Sequence, residues 1–211
     1  MALFHHHSGP LGQQIVVWSI SETYDELVLF LNNSSFLKEI QNLELKSELR
    51  LKQKLAAGIL LQHILQHPIE LVYDNLGKPR LKNVLGHISI TNTKEFVAVI
   101  YHPTKPVGID IEIPSERILK VAPKFVNEQE QKWMTDSAEN SHQNCFIVWC
   151  VKESVFKLIG GGGIDFKNNI EVKAPTNNLG EVIYSKNHSV EKYQYHLIQQ
   201  DELLLSYIVG N

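Results

Sequence analysis

With 211 residues, 43% hydrophobic and 20% charged, the chain can bury a core, which excludes global disorder. Twenty Lys+Arg against 23 Asp+Glu leave a net charge of −3, so bulk nucleic-acid binding through a general basic surface is excluded and only a local basic pocket stays open. No apolar run approaches the roughly 18 residues that span a bilayer. Residues 1–10 lack the basic-then-apolar order of a secretory signal. Cys145 and Cys150 lie five apart in a helical stretch. They form neither a CxxC motif nor a disulfide framework, and fit a reducing cytoplasm.

In chain order, His5-His6-His7 reads as functionally neutral. Residues 14–20 hold the β-branched and aromatic run Ile15-Val16-Val17-Trp18, a strand. Ser21 is the expected N-cap of a helix running to about Leu31, with Glu22, Asp25 and Glu26 in its first turns, and residues 32–35 break it. A long helix is expected over residues 43–66, ended by Pro68, then a short strand at 70–73 and a turn at 74–79. Strands follow at 88–90, 96–101 and 107–113, and helices at 115–121, 127–135 and 142–159. The glycines at 160–163 stop the last helix abruptly. Strands at 170–173, 181–184, 193–198 and 203–209 complete an α+β chain. Two related α+β subdomains are expected, residues 1–105 and 106–211.

Three groups of residues carry chemistry. In Val107-Gly108-Ile109-Asp110-Ile111-Glu112, strand alternation sends Ile109 and Ile111 into the core and puts Asp110 and Glu112 together on the other face, about 6–7 Å apart. Two such carboxylates can converge on a hard cation such as Mg²⁺, or can be ordinary acids on a solvated edge, which the spacing alone favours. In Trp149-Cys150-Val151-Lys152-Glu153-Ser154-Val155-Phe156-Lys157, the i, i+4, i+8 spacing puts Trp149, Glu153 and Lys157 on one helix face. They read as an aromatic anchor above a surface ion pair, or as a third metal carboxylate with a phosphate-binding lysine. Lys46, Arg50 and Lys54 share a face of the long helix, either solvated or facing a polyanion, and the Gly77-Lys78-Pro79 turn offers one more cation. The glycines at 160–163 follow a helix and lack the trailing Lys-Ser/Thr of a P-loop, and HExxH, GxSxG and zinc-finger patterns do not occur.

Taken together, Gly77-Lys78-Pro79, the run from Val107 to Glu112, Lys124-Phe125 with Glu130, and the run from Trp149 to Lys157 resemble the 4′-phosphopantetheinyl transferase superfamily in order and separation. The length resembles its larger, monomeric surfactin-synthetase-activator type. The resemblance implies two α+β halves related by a pseudo-twofold, with coenzyme A in the cleft between them. It implies Mg²⁺ held by Asp110, Glu112 and Glu153, and Lys157 on the pyrophosphate. Glu153 is a candidate base for the serine proton, and Glu130 a second one. Lys46, Arg50, Lys54, Lys78, Thr91 and Asn92 are the implied coenzyme A residues. The implied reaction moves phosphopantetheine to a serine of an apo acyl or peptidyl carrier protein and releases 3′,5′-ADP; a homologue that only binds coenzyme A or a carrier is the alternative. No nucleic-acid or membrane partner is implied, and any carrier-docking patch is local, around Lys124 and Lys132.

One departure stands out. Where the family carries Ser-His-Ser, this chain reads Thr91-Asn92-Thr93. Asn92 offers a neutral hydrogen bond and cannot supply an imidazolium charge. Weaker coenzyme A binding, an altered donor and lost activity are all open from this substitution.

Overall fold

The β-branched run at residues 15–17 forms the middle of an antiparallel sheet. The computed structural model describes residues 3–31, 34–42, 47–82, 84–135, 140–200 and 202–211. They are α+β, and the chain divides into two compact units, Met1–Val107 and Gly108–Asn211.

The first unit has a four-stranded sheet in the order β1 (Leu3–Ser8), β2 (Gln14–Ser19), β6 (Phe96–His102), β5 (His87–Asn92). Its neighbouring strands are antiparallel, with Val16 opposite Val99 and Ser89 opposite Ile100. The helix α3 (Glu48–Leu65) packs on this sheet through Leu55, Leu60 and Leu61, against Val16, Trp18, Val97 and Val99. Two shorter helices, α1 (Tyr24–Phe30) and α2 (Ser34–Gln41), pack against α3. A two-stranded ribbon of β3 (Leu71–Tyr73) and β4 (Pro79–Leu81) completes the unit.

Several elements differ from the sequence expectation. The first helix is capped by Thr23, not Ser21: the Thr23 side chain accepts from the Glu26 N–H at 3.3 Å, and Glu26 accepts from the Thr23 N–H at 2.8 Å. This reciprocal Thr-x-x-Glu box satisfies two backbone donors at once, which Ser21 cannot do. The triplet His5-His6-His7 lies in β1, whose polar side chains hide the alternation that announces a strand. A helix that the sequence reading lacks occupies Ser34–Gln41 and begins inside the expected break at 32–35. The long helix begins at Glu48, and Lys46 lies outside the described residues.

The second unit holds a five-stranded sheet in the order β7 (Val107–Glu112), β11 (Leu203–Val209), β10 (Ser189–Gln200), β9 (Leu179–Lys186), β8 (Ile170–Val172). The helix α6 (Ser141–Ile159) packs on β11, and Val148, Val151 and Val155 join Val182, Tyr195, Leu204 and Ile208 in one core. Shorter helices α4 (Arg117–Val121), α5 (Glu128–Thr135) and α7 (Phe166–Asn169) flank it. The abrupt end of α6 is as expected. Gly160 caps it at φ 94, and Gly161, Gly162 and Gly163 follow at φ 82, 91 and 63. Four successive residues of positive φ strongly favour glycine. Among the described residues no helix is long and apolar enough to cross a membrane.

Candidate active site

The acids of β7 are set by a close crossing between that strand and α6. A Cβ on Gly108 would meet the Ser154 carbonyl oxygen at 2.0 Å and the Leu158 nitrogen at 2.8 Å. The missing side chain therefore lets the helix lie on the strand face that carries Gly108, Asp110 and Glu112. Two residues of strand rise about 6.6 Å and four residues of helix about 6.0 Å, so the spacings run in step. Lys157 donates to Asp110 Oδ1 at 2.6 Å, and the Trp149 indole N–H donates to Glu112 Oε1 at 2.8 Å. Trp149 is itself held by Phe125 and Phe166, with ring centroids 5.0 and 5.7 Å away. The hydroxyls of Ser154 and Ser206, 2.5 Å apart, and the Ser206 bond to the Cys150 carbonyl at 2.8 Å pin α6 to β11.

This crossing corrects one expectation. The face of Asp110 is not solvated: Asp110 is 4% exposed, and Ile109 and Ile111 on the other face are buried as well. Gly108→Ala tests the crossing. Overpacking a backbone contact should cost on the order of 3 kcal/mol and lower the denaturant midpoint accordingly; an unchanged midpoint would mean that α6 does not lie this close.

Glu153, half-buried on the same helix face, is coupled to both strand acids. Burial, then the charge of Asp110, pushes its carboxyl up to about 7, with Lys157 pulling it down and Glu112 adding to the rise. Glu112 is raised too, by burial first and Asp110 second, against the Trp149 hydrogen bond and Lys157. Three acids thus crowd one lysine. For Glu153 the linkage sign is that of a raised carboxyl: its stabilising contribution is complete below the unfolded value of 4.5 and is lost as pH rises through about 7. Metal-free protein should therefore lose on the order of 2 kcal/mol between about pH 5 and pH 8, after discounting for partial exposure. Denaturant melts across that range should flatten in Glu153→Gln; an equal slope in the variant would contradict the coupling.

Among the described residues, no three His, Cys, Asp or Glu side chains are placed so as to hold a metal ion. The donor chemistry nevertheless fits a hard divalent cation. Asp110, Glu112 and Glu153 are oxygen ligands, and two of them are raised by burial and mutual repulsion, which a bound cation relieves.

Glu130, expected as a second candidate base, is placed differently. It is fully buried and accepts from Lys152 Nζ at 2.8 Å, from the Asn127 N–H at 2.8 Å and from the Val172 N–H at 2.9 Å. Burial raises its carboxyl, and burial lowers the Lys152 ammonium. Lys152, also fully buried, donates further to the carbonyls of Phe125 and Phe166, each at 2.7 Å. A carboxylate so fully engaged organises the segments around α6 rather than receiving a proton from a substrate. Lys152 was missed by the sequence reading, although Val148, Val151, Lys152 and Val155 follow the helical period of a core stripe, where a lysine signals a buried partner. Cys145 and Cys150 are buried free thiols held above their ordinary range by burial, and so are poor nucleophiles.

In the first unit, Arg50, Lys54 and Asn92 line one cavity of about 760 Å³, together with Tyr73, Gly77 and Pro79. Lys54 Nζ reaches the Tyr73 hydroxyl at 3.3 Å and stands 5.0 Å from the ring centroid. Thr91, one residue from the exposed Asn92, is 4% exposed. Lys78 is half-buried and does not line this cavity. It follows the turn set by Asp74, whose Oδ1 accepts the Leu76 and Lys78 N–H groups at 3.1 and 2.9 Å.

Residues 106–208 match the family model of the 4′-phosphopantetheinyl transferase superfamily. The chain is 38% identical over 104 residues to the 4′-phosphopantetheinyl transferase gsp of Aneurinibacillus migulanus. That stretch is 48% of this chain and 42% of the relative, so the match spans less than half of the relative's length. The crystal structure of the Thermotoga maritima holo-[acyl-carrier-protein] synthase aligns over 50% of this chain and 62% of that one, at 19% identity and a TM-score of 0.42.

Proposed function

We propose, from the match of residues 106–208 to the 4′-phosphopantetheinyl transferase superfamily, that the protein transfers phosphopantetheine from coenzyme A to a serine of an apo acyl or peptidyl carrier protein. The observation that carries this reading is the crossing of β7 and α6, which couples Asp110, Glu112, Glu153 and Lys157 within the matched segment. On this reading the serine oxygen attacks the phosphorus next to pantetheine, the bridging P–O bond breaks, and 3′,5′-ADP leaves with the electron pair. Glu153, coupled to both strand acids and half-buried beside them, accepts the serine proton. Lys157 leaves Asp110 for the diphosphate and neutralises charge on the leaving oxygen. Asp110, Glu112 and Glu153 would hold magnesium, which supplies charge neutralisation at the diphosphate. The carrier donates the nucleophile, in keeping with the buried cysteines. We place the protein in the cytoplasm, in keeping with its two unpaired thiols, and as a monomer.

Arg50, Lys54 and Asn92 take the nucleotide end of the donor in this reading, and Lys78 adds a charge from the turn whose Gly77 and Pro79 line the cavity. Charge-assisted phosphate contacts contribute roughly 1.5–3 kcal/mol each. Lys54→Ala and Lys78→Ala should therefore raise the KM for coenzyme A about tenfold or more while changing kcat much less. Unchanged KM values would return both lysines to the solvated surface. The function itself is tested by release of 3′,5′-ADP from coenzyme A and magnesium: release that needs an apo carrier supports transfer. No release with any carrier, alongside measurable coenzyme A binding, would favour a binding protein, the alternative that Asn92 suggests.

A further inference from the structure

Trp149 meets Glu112 through the one polar atom of its side chain. The indole N–H donates to Glu112 Oε1 at 2.8 Å, and an indole donates without ever accepting. The ring has little freedom to leave this bond. Its centroid stands 5.0 Å from that of Phe125 and 5.7 Å from that of Phe166, at interplanar angles of 59° and 45°. Phe125 lies between α4 and α5, and Phe166 opens α7. A single ammonium ties both backbones: Lys152 donates to the carbonyl of each at 2.7 Å, and is itself fully buried against Glu130. The Glu130–Lys152 pair thus fixes the two segments whose rings pack on the indole. Lys157 holds Asp110 differently, because its partly exposed ammonium ends a flexible stem that can turn to another anion.

The consequence falls on Glu112 as a ligand. A carboxylate grips one cation with both oxygens only when its plane turns to present both. For Glu112 that turn breaks the indole bond and leaves the N–H of a half-buried ring without its acceptor. Mg²⁺ takes few carboxylates and keeps several waters, whereas the larger Ca²⁺ takes more oxygens and often binds a carboxylate through both. We propose that Trp149 sets the cation selectivity of this site: it restricts Glu112 to one ligating oxygen and so disfavours ions, Ca²⁺ above all, that need two. Phe125, Phe166 and the Glu130–Lys152 pair are positioning residues that hold the indole to its acceptor. This rests on the reading that Asp110, Glu112 and Glu153 hold a divalent cation.

Mn²⁺ is the probe, since the free ion gives a paramagnetic resonance signal that binding removes. The full chain, freed of metal, is loaded with Mn²⁺, and Mg²⁺ and Ca²⁺ are titrated against it separately. The ratio of the two displacing concentrations reads selectivity without turnover. Trp149→Phe keeps an aromatic ring and removes the donor. It should improve displacement by Ca²⁺ relative to Mg²⁺ by about tenfold, the worth of one hydrogen bond to a charged group. Phe166→Leu keeps the carbonyl that Lys152 binds and loosens the indole, so it should shift the ratio the same way by a smaller factor. With thermal melts as the folding control, it carries the test should Trp149→Phe not fold. An unchanged ratio in the folded variants would overturn the proposal. Equal weakening of both ions would overturn it as well, by making the indole bond a contribution to affinity alone. No binding of Mn²⁺ by the unsubstituted protein would overturn the cation reading itself, and this inference with it.

Discussion

Asp110→Asn is expected to abolish the proposed transfer, with kcat falling by about 10³-fold or more, because it removes charge from the group assigned to the reacting diphosphate. The amide is nearly isosteric with the acid. It keeps the close packing beneath α6 but cannot neutralise Lys157, which stands 2.6 Å from Oδ1. Asp110→Ala is the poorer test. At 4% exposure, its loss leaves a small void and Lys157 without its acid, so inactivity in that variant mixes chemistry with folding. Steady-state kinetics on a variant with an unchanged melting midpoint checks the result. Activity of Asp110→Asn within tenfold of the parent would remove Asp110 from the reaction and leave it a packing residue.

The second large effect is on stability. Lys152→Ala should cost roughly 3–5 kcal/mol, the usual consequence of removing one partner from a buried ion pair. Lys152 is fully buried and satisfies three acceptors: Glu130, the Phe125 carbonyl and the Phe166 carbonyl. Each of them loses the ammonium in the variant, and Glu130 keeps the Asn127 and Val172 N–H groups but no counter-charge. Pairing Lys152→Met with Glu130→Gln should recover part of the loss. No unpaired charge is then left inside, and the amide oxygen introduced by Glu130→Gln can still accept from the backbone. Urea denaturation at neutral pH measures both. A cost below about 1 kcal/mol for the single variant would mean that solvent reaches the ammonium and that the network contributes little.

Much of the matched segment was legible because two periods coincide with two elements. Asp110 and Glu112 alternate on a strand, and Trp149, Glu153 and Lys157 recur at the helical repeat, so their grouping follows from spacing once both elements exist. Spacing could not show what covers the acid face. Only the fold places α6 upon it, although Gly108, a strand glycine beside two acids, is the residue that permits the approach. Glu130 and Lys152 illustrate the opposite failure. Both belong to motifs that resemble a catalytic family, and charged residues in a motif read as chemistry, whereas here their chains run inward to each other. In the first unit, β1 was illegible because three histidines carry no hydrophobic alternation, and Thr23 was overlooked as a cap because Ser21 stood nearer the strand. Arg50 and Lys54, one helical turn apart, do meet the sequence-distant Asn92 at one cavity, while the strand parity that separates Lys78 from it needed the ribbon register.

If the group around Asp110, Glu153 and Lys157 modifies a carrier serine, the carrier itself records the event. Intact-mass spectrometry of an apo carrier protein, incubated with this protein, coenzyme A and magnesium, reads it without an intermediate assay. The expected carrier is heavier by one phosphopantetheine, with no gain when the acceptor serine is replaced by alanine or when Asp110→Asn is used. A carrier of unchanged mass across fatty-acid, polyketide and peptide carrier types, with enzyme that is folded and binds coenzyme A, would refute transfer by this group.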